Sequence, residues 1–89
     1  MKRYKLIIKG RVQGVWYRGS AQRKARELGL NGFIKNMPDG SVYAEAEGNE
    51  SNLDVFIEWC KKGPELARVE AVLIEETGTL GQQGFEVHR

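Results

Sequence analysis

Nine residues, Gly10-Arg11-Val12-Gln13-Gly14-Val15-Trp16-Tyr17-Arg18, constrain this chain more than any other stretch, because they join a strand pattern to a helix pattern. Before them, Tyr4, Leu6 and Ile8 alternate with Lys5, Ile7 and Lys9, the period of a strand with one face inward. After them, Ala21, Ala25 and Leu28 fall at i, i+4 and i+7, one apolar stripe of a helix over about Ser20 to Leu28. A loop bracketed by glycines in this position has the makings of an anion cradle. Glycine adopts positive φ and lets backbone approach a ligand closely. Successive N–H groups in such a turn converge on one point, and the following helix start adds unpaired donors and a favourable dipole end. Arg18 supplies a formal charge and a planar fork of donors suited to phosphate oxygens. The ligand expected here is a phosphoryl group, although many glycine-containing strand-to-helix connections bind nothing.

The rest of the chain reads as follows. Ser20 is placed as the N-cap of the first helix and Gly29 as its closing C′ residue. Gly32 to Asn36 is a second strand, and Pro38-Asp39-Gly40 a turn. Ser41 to Glu47 is a third strand, antiparallel to the second, with Val42, Ala44 and Ala46 inward and Tyr43, Glu45 and Glu47 on the other face. A second helix is expected from a Ser51/Asp54 capping box, burying Leu53, Phe56, Ile57 and Cys60. Lys61-Lys62-Gly63-Pro64 stops it. Ala67 to Glu76 is a fourth strand, with Val69, Ala71 and Leu73 opposed to Glu70, Val72 and Ile74. Phe85 to His88 is a short last one. The order β-α-β-β-α-β plus a terminal strand implies a split βαβ, ferredoxin-like α+β sandwich: an antiparallel sheet with both helices on one face.

Bulk properties narrow the function. With 89 residues the chain is read as one domain spanning 1–89. A net charge of +2, with basic residues spread from Lys2 to Arg89, does not favour nucleic acid as a partner. The basic residues of the first helix read as a solvated face, with attraction of anions as the alternative. The lone Cys60 is read as a small core residue and makes no internal disulfide, which agrees with a reducing compartment. The apolar run near the N-terminus is only three residues, too short for a signal peptide or a membrane span. The expectation is a cytoplasmic monomer with no membrane association, no metal and no cofactor.

Catalytic equipment outside the loop is sparse. His88 is the only histidine, and the Glu45/Glu47 and Glu75/Glu76 pairs sit where a solvated sheet explains them. Any reaction must therefore do without a strong base or a protein nucleophile. An acyl phosphate meets that restriction, because its carboxylate leaves unprotonated, the conjugate acid having a pKa of roughly 4. Phosphoryl transfer leans on positioning and charge stabilisation. Asn36, a neutral residue where the second strand reaches the turn, is the candidate for aiming a water; the alternative is a turn-flanking Asn that caps its own backbone.

Gly10 to Arg18 resembles the first signature of the acylphosphatase family, G-x-V-Q-G-V-x-F/Y-R. Gly32-Phe33-Ile34-Lys35-Asn36, followed by Gly40-Ser41-Val42 and Gly48, resembles the second, in the family's order and spacing. The resemblance covers essentially the whole chain. It implies a ferredoxin-like domain that hydrolyses acyl phosphates to a carboxylate and inorganic phosphate without a metal. Residue by residue, Arg18 matches the phosphate-binding arginine and Asn36 the water-orienting asparagine. The backbone of Gln13, Gly14, Val15, Trp16, Tyr17 and Arg18 matches the cradle, which would hold a phosphate or sulfate anion. Ile34 departs from the smaller residue more usual at its position, so packing beneath Asn36 is expected to differ. Trp16 falls at a variable position, where it either lines the site mouth or covers the core. Family domains also occur inside larger maturation proteins that handle carbamoyl phosphate; the short tail after the last strand suggests a free-standing protein here. A binding module on the same fold is the second reading, with Tyr4 and Tyr43 as the only aromatic candidates for RNA and acidic neighbours beside Tyr43 arguing against it.

Overall fold

A computed structural model describes residues 1–89. The alternating N-terminal segment forms β1 (Lys2–Arg11), and its helix-facing side chains, Leu6 and Ile8, are fully buried. The chain continues through α1 (Tyr17–Glu27), β2 (Asn31–Asn36), β3 (Val42–Gly48), α2 (Glu50–Lys62), β4 (Arg68–Thr77) and β5 (Phe85–Val87). The five strands form one sheet in the order β4-β1-β3-β2-β5. Register places Leu6 opposite Ala44 and Ala44 opposite Ile34, so one face of the three central strands is continuously apolar. Against it pack Ala21 and Ala25 of α1 and Leu53, Phe56, Ile57 and Cys60 of α2, all in a single buried cluster. Full burial of a side chain such as Phe56 stabilises by about 1.5–3 kcal/mol. Burial also pushes the Cys60 thiol up to about 12, which agrees with a core role. No helix is long and apolar enough to cross a membrane.

The fold is the ferredoxin-like arrangement read from the sequence, with four corrections. The sheet is mixed: β5 pairs parallel to β2, Gly32 opposite Phe85 and Ile34 opposite Val87. A strand that returns from β4 across the open face can meet the free edge of β2 only in that direction. Second, α1 begins three residues before Ser20, because Trp16 takes a left-handed conformation (φ 64°) and turns the chain directly into the helix. Ser20 is an interior residue whose N–H donates to the Trp16 carbonyl. Third, α2 is capped by Asn49, whose Oδ1 accepts from the Asn52 N–H at 2.9 Å; the Ser51 hydroxyl donates to the same oxygen. Fourth, the alternation of β4 is broken. Lys9 lies opposite Ala71 and Gly10 opposite Val69, leaving Glu70 as a bulge, so Val69 and Val72 both pack against the core while Leu73 stays half exposed.

The Glu45/Glu47 pair is also not solvated. Arg3 lies fully buried on the helix-free face; its Nε donates to Glu45 at 2.8 Å, its Nη1 to Glu47 at 3.2 Å and its Nη2 to Gln82 at 3.1 Å. Glu47 further accepts the Leu80 and Gly81 amides at 2.7 and 3.0 Å. These bonds fasten the Gly78–Gly84 loop over the sheet and so deliver β5 to its edge. The donors hold the Glu47 carboxyl below the ordinary carboxylate range, the Leu80 amide foremost.

Candidate active site

At one end of the sheet, a cleft of about 470 Å³ opens between the β1–α1 loop, the end of β2 and the end of β5. Gly14, Trp16, Tyr17, Arg18 and Asn36 line it together with Val12, Gly19 and Val87. Five of the seven residues singled out from the sequence thus meet in one place, 18 positions separating Arg18 from Asn36 in the chain.

The loop has the geometry of an anion nest. Gly14 (φ 75°) and Trp16 (φ 64°) are both left-handed, with Val15 between them, and this kind of alternation turns successive N–H groups inward. None of the amides from Val12 to Trp16 donates to another backbone group, and those of Tyr17, Arg18 and Gly19 begin a helix, where no intrahelical acceptor exists. The run ends at the positive pole of α1. Trp16 has no side-chain cap to offer, so the helix start stays uncapped. Trp16 is 81% exposed, which places its indole at the mouth rather than over the core.

The two chemically distinctive side chains are held from opposite sides. Arg18 projects from the first turn of α1, and its Nη1 donates to the His88 carbonyl at 2.9 Å. His88 is itself fixed: its N–H donates to the Ile34 carbonyl, and its ring stacks on Phe33 with centroids 4.7 Å apart. One nitrogen is spent on this anchor, leaving the remaining donors of the fork for a ligand. Asn36 ends β2, opposite Val42. Its Oδ1 is the one buried side-chain polar atom without a hydrogen-bond partner. The self-capping alternative does not apply, because the turn is held instead by Asp39, whose Oδ1 accepts from the Ser41 N–H and hydroxyl. An unpaired buried acceptor costs about 1–3 kcal/mol. Asn36 itself lines the cleft, so the residue that carries this unpaired oxygen stands on its wall.

The side chains of Gln13 and Val15 do not line the cleft. Gln13 Nε2 donates to both the Met37 and Ser41 carbonyls at 2.8 Å, clamping the loop to the β2–β3 turn, and Val15 is buried in the core. The Tyr17 hydroxyl points inward and donates to the Cys60 carbonyl at 2.7 Å, anchoring α1 to α2. Sequence reasoning missed the His88 carbonyl, Val12, Gly19 and Val87. A backbone carbonyl has no residue signature, and only the pairing of β5 with β2 brings it to Arg18. No carboxylate or imidazole side chain stands among the residues lining the cleft.

A sequence model of the Acylphosphatase family matches residues 4–87. The chain belongs to the acylphosphatase family. Among similar acylphosphatases, that of Thermus thermophilus is 50% identical over 88 residues, 99% of this chain and 100% of the relative. That of Methylococcus capsulatus is 50% identical over 82 residues, 92% of this chain and 89% of the relative. The crystal structure of the Bacillus subtilis acylphosphatase superposes with a TM-score of 0.97 at 37% identity, covering 100% of both chains. Full-length HypF shows the same fold in a segment that is 12% of its length, at 24% identity and a TM-score of 0.88. Hydrolysis of acyl phosphates is the reaction of the acylphosphatase family, and this chain is a hydrolase of that class.

Proposed function

We propose that hydrolysis takes place in the Arg18–Asn36 cleft, with Arg18 and the loop amides holding the phosphoryl group and Asn36 aiming the attacking water. The observation that carries this reading is the Asn36 amide, left without a partner on the wall of the cleft that also holds an anchored arginine and a run of unpaired amides. The amides of Gln13 to Arg18 and the free guanidinium donors meet the three equatorial oxygens, where charge accumulates in the transition state. A water bonded to the Asn36 oxygen approaches phosphorus in line with the scissile bond. The P–O bond to the acyl group breaks, and the carboxylate leaves unprotonated. With no base on the walls, the proton of the water passes to a phosphoryl oxygen, giving dihydrogen phosphate. Nothing in this sequence calls for a metal.

The same reading covers the remaining partners. The loop takes inorganic phosphate or sulfate as product-like anions. Residues 1–89 work as one domain and as a monomer, since Arg18, Asn36 and the His88 anchor all come from one chain. A reducing, cytoplasmic setting suits the buried, unpaired Cys60. Nucleic acid is not the partner: the Tyr43 hydroxyl donates to Glu45 at 2.6 Å, in the acidic surroundings that RNA avoids.

The test is phosphate release from benzoyl phosphate with chelator present. Wild type turns over under these conditions. Arg18→Ala lowers kcat/KM by about 10²–10³ or more and loses inhibition by phosphate. Asn36→Ala lowers kcat while phosphate inhibition persists. Wild-type turnover in Asn36→Ala would remove that residue from the mechanism.

A further inference from the structure

The cleft is not closed at the mouth. Trp16 and Gly19 also form one end of a second, larger groove of about 870 Å³ along the exposed flank of α1, whose far end is lined by Arg23, Arg26 and Glu27. Trp16, Gly19, Arg23 and Arg26 are spaced by 3, 4 and 3 positions, one stripe along the helix. A Cβ on Gly19 would stand 3.2 Å from the Trp16 Cε3, so the bare glycine is the surface beside which the indole lies. Trp16 keeps its left-handed backbone, an arrangement uncommon for a bulky residue, while burying little of its ring. The basic side is not neutralised. Glu27 pairs with Lys24 at 3.8 Å, and neither Arg23 nor Arg26 has an acidic partner within ion-pair distance.

The geometry points to an acyl-side subsite: the acyl group lies along the Trp16 indole, and Arg23 with Arg26 receives a second anionic group at its far end. The inference rests on the phosphoryl group occupying the Arg18 cleft. One helical turn from Gly19 reaches Arg23, about 6 Å along the axis, and Arg26 lies about 10 Å along it. A flat or extended acyl group of roughly that span bridges the two anion sites. The subsite therefore selects acyl phosphates that carry a second anionic group on the acyl part, and Arg23 and Arg26 are specificity-determining rather than catalytic residues. Because they touch the part of the substrate that does not react, they act on KM and leave kcat unchanged.

The test compares benzoyl phosphate with 4-carboxybenzoyl phosphate, which adds a distal carboxylate on a rigid ring. The quantity read is the ratio of their kcat/KM values, which cancels intrinsic reactivity between variants. The Arg23→Gln/Arg26→Gln variant is expected to lower that ratio about tenfold, through KM for the carboxylated substrate, with benzoyl phosphate turnover unchanged. A variant losing two positive charges elsewhere, Lys61→Gln/Lys62→Gln on α2, should keep the wild-type ratio. The same ratio in wild type and the arginine variant overturns the subsite, as does an equal fall in the α2 variant, which reports net charge alone. If wild type turns over neither compound, it is the Arg18 cleft reading that fails; turnover of both with an unmoved ratio defeats the subsite only.

Discussion

Gly14 stands at φ 75°, and a Cβ there would meet nothing within 4 Å, so a side chain meets no steric block and only a conformational penalty. For an L-residue the left-handed region costs roughly 1–2 kcal/mol. Trp16, two residues on, already bears that penalty at φ 64°. Gly14→Ala is expected to relax the loop out of its alternation and turn the amides away from their common point. Competitive inhibition by phosphate should weaken about tenfold, corresponding to about 1.4 kcal/mol. The melting temperature should fall by only about 4–8 °C per kcal/mol lost. Unchanged inhibition would mean that the amides around Gly14 do not form the cradle. The glycine is visible in the sequence; the left-handed tryptophan is not, because a tryptophan gives no local sign of positive φ. That single conformation is why α1 starts at Tyr17 and why Arg18 sits on a helix rather than in a loop.

At the level of elements, the glycine loop and the β2–β3 hairpin behave as one unit through Gln13. Its amide reaches the Met37 and Ser41 carbonyls on either side of the turn, directly beyond Asn36. Gln13→Leu removes both bonds and is expected to cost about 1–3 kcal/mol. Because the clamp sets the spacing between Arg18 and Asn36, kcat should fall more than KM rises, which stability and steady-state kinetics on one sample would separate. A drop in stability with normal kcat would leave Gln13 a purely structural brace. The helices, the hairpin and the Arg18–Asn36 pairing were legible because periodicity and turn chemistry are local, and because two motifs in register resemble one family. What escaped was long-range. The parallel docking of β5, the Glu70 bulge, the burial of Glu47 and the anchoring of Arg18 by a carbonyl each depend on which strand lies beside which. Gln13 shows the same limit: its place in the motif was plain, but its side chain works on the hairpin rather than toward the cleft.

Across the whole molecule, the site depends on the buried charge cluster of the helix-free face. Arg3, Glu45 and Glu47 hold the Gly78–Gly84 loop, the loop delivers β5, and His88, the residue after β5, presents the carbonyl that fixes Arg18. Both carboxyls sit below their ordinary value of 4.5: for Glu45 burial, the largest single effect, pushes upward but is outweighed by the bonds from Tyr43 and Arg3 together with the nearby positive charges, and Glu47 is lowered first by the Leu80 amide. A depressed carboxyl stabilises the fold fully above its unfolded pKa and loses that contribution as pH falls through the folded one. Stability should therefore be level from pH 7 to about 5 and decline below about 4. Glu47→Gln leaves Arg3 with one fewer carboxylate and turns an amide donor toward other donors; breaking a buried pair costs about 3–5 kcal/mol. The variant should thus be less stable at pH 7 but show a shallower acid decline, the two curves approaching each other near pH 3. Urea unfolding across that range measures both features. Parallel curves would assign the acid limb to other carboxylates and leave the cluster as packing alone. Convergence would tie the acid sensitivity of the fold to the contacts that bring β5, and with it the Arg18 anchor, to the sheet edge.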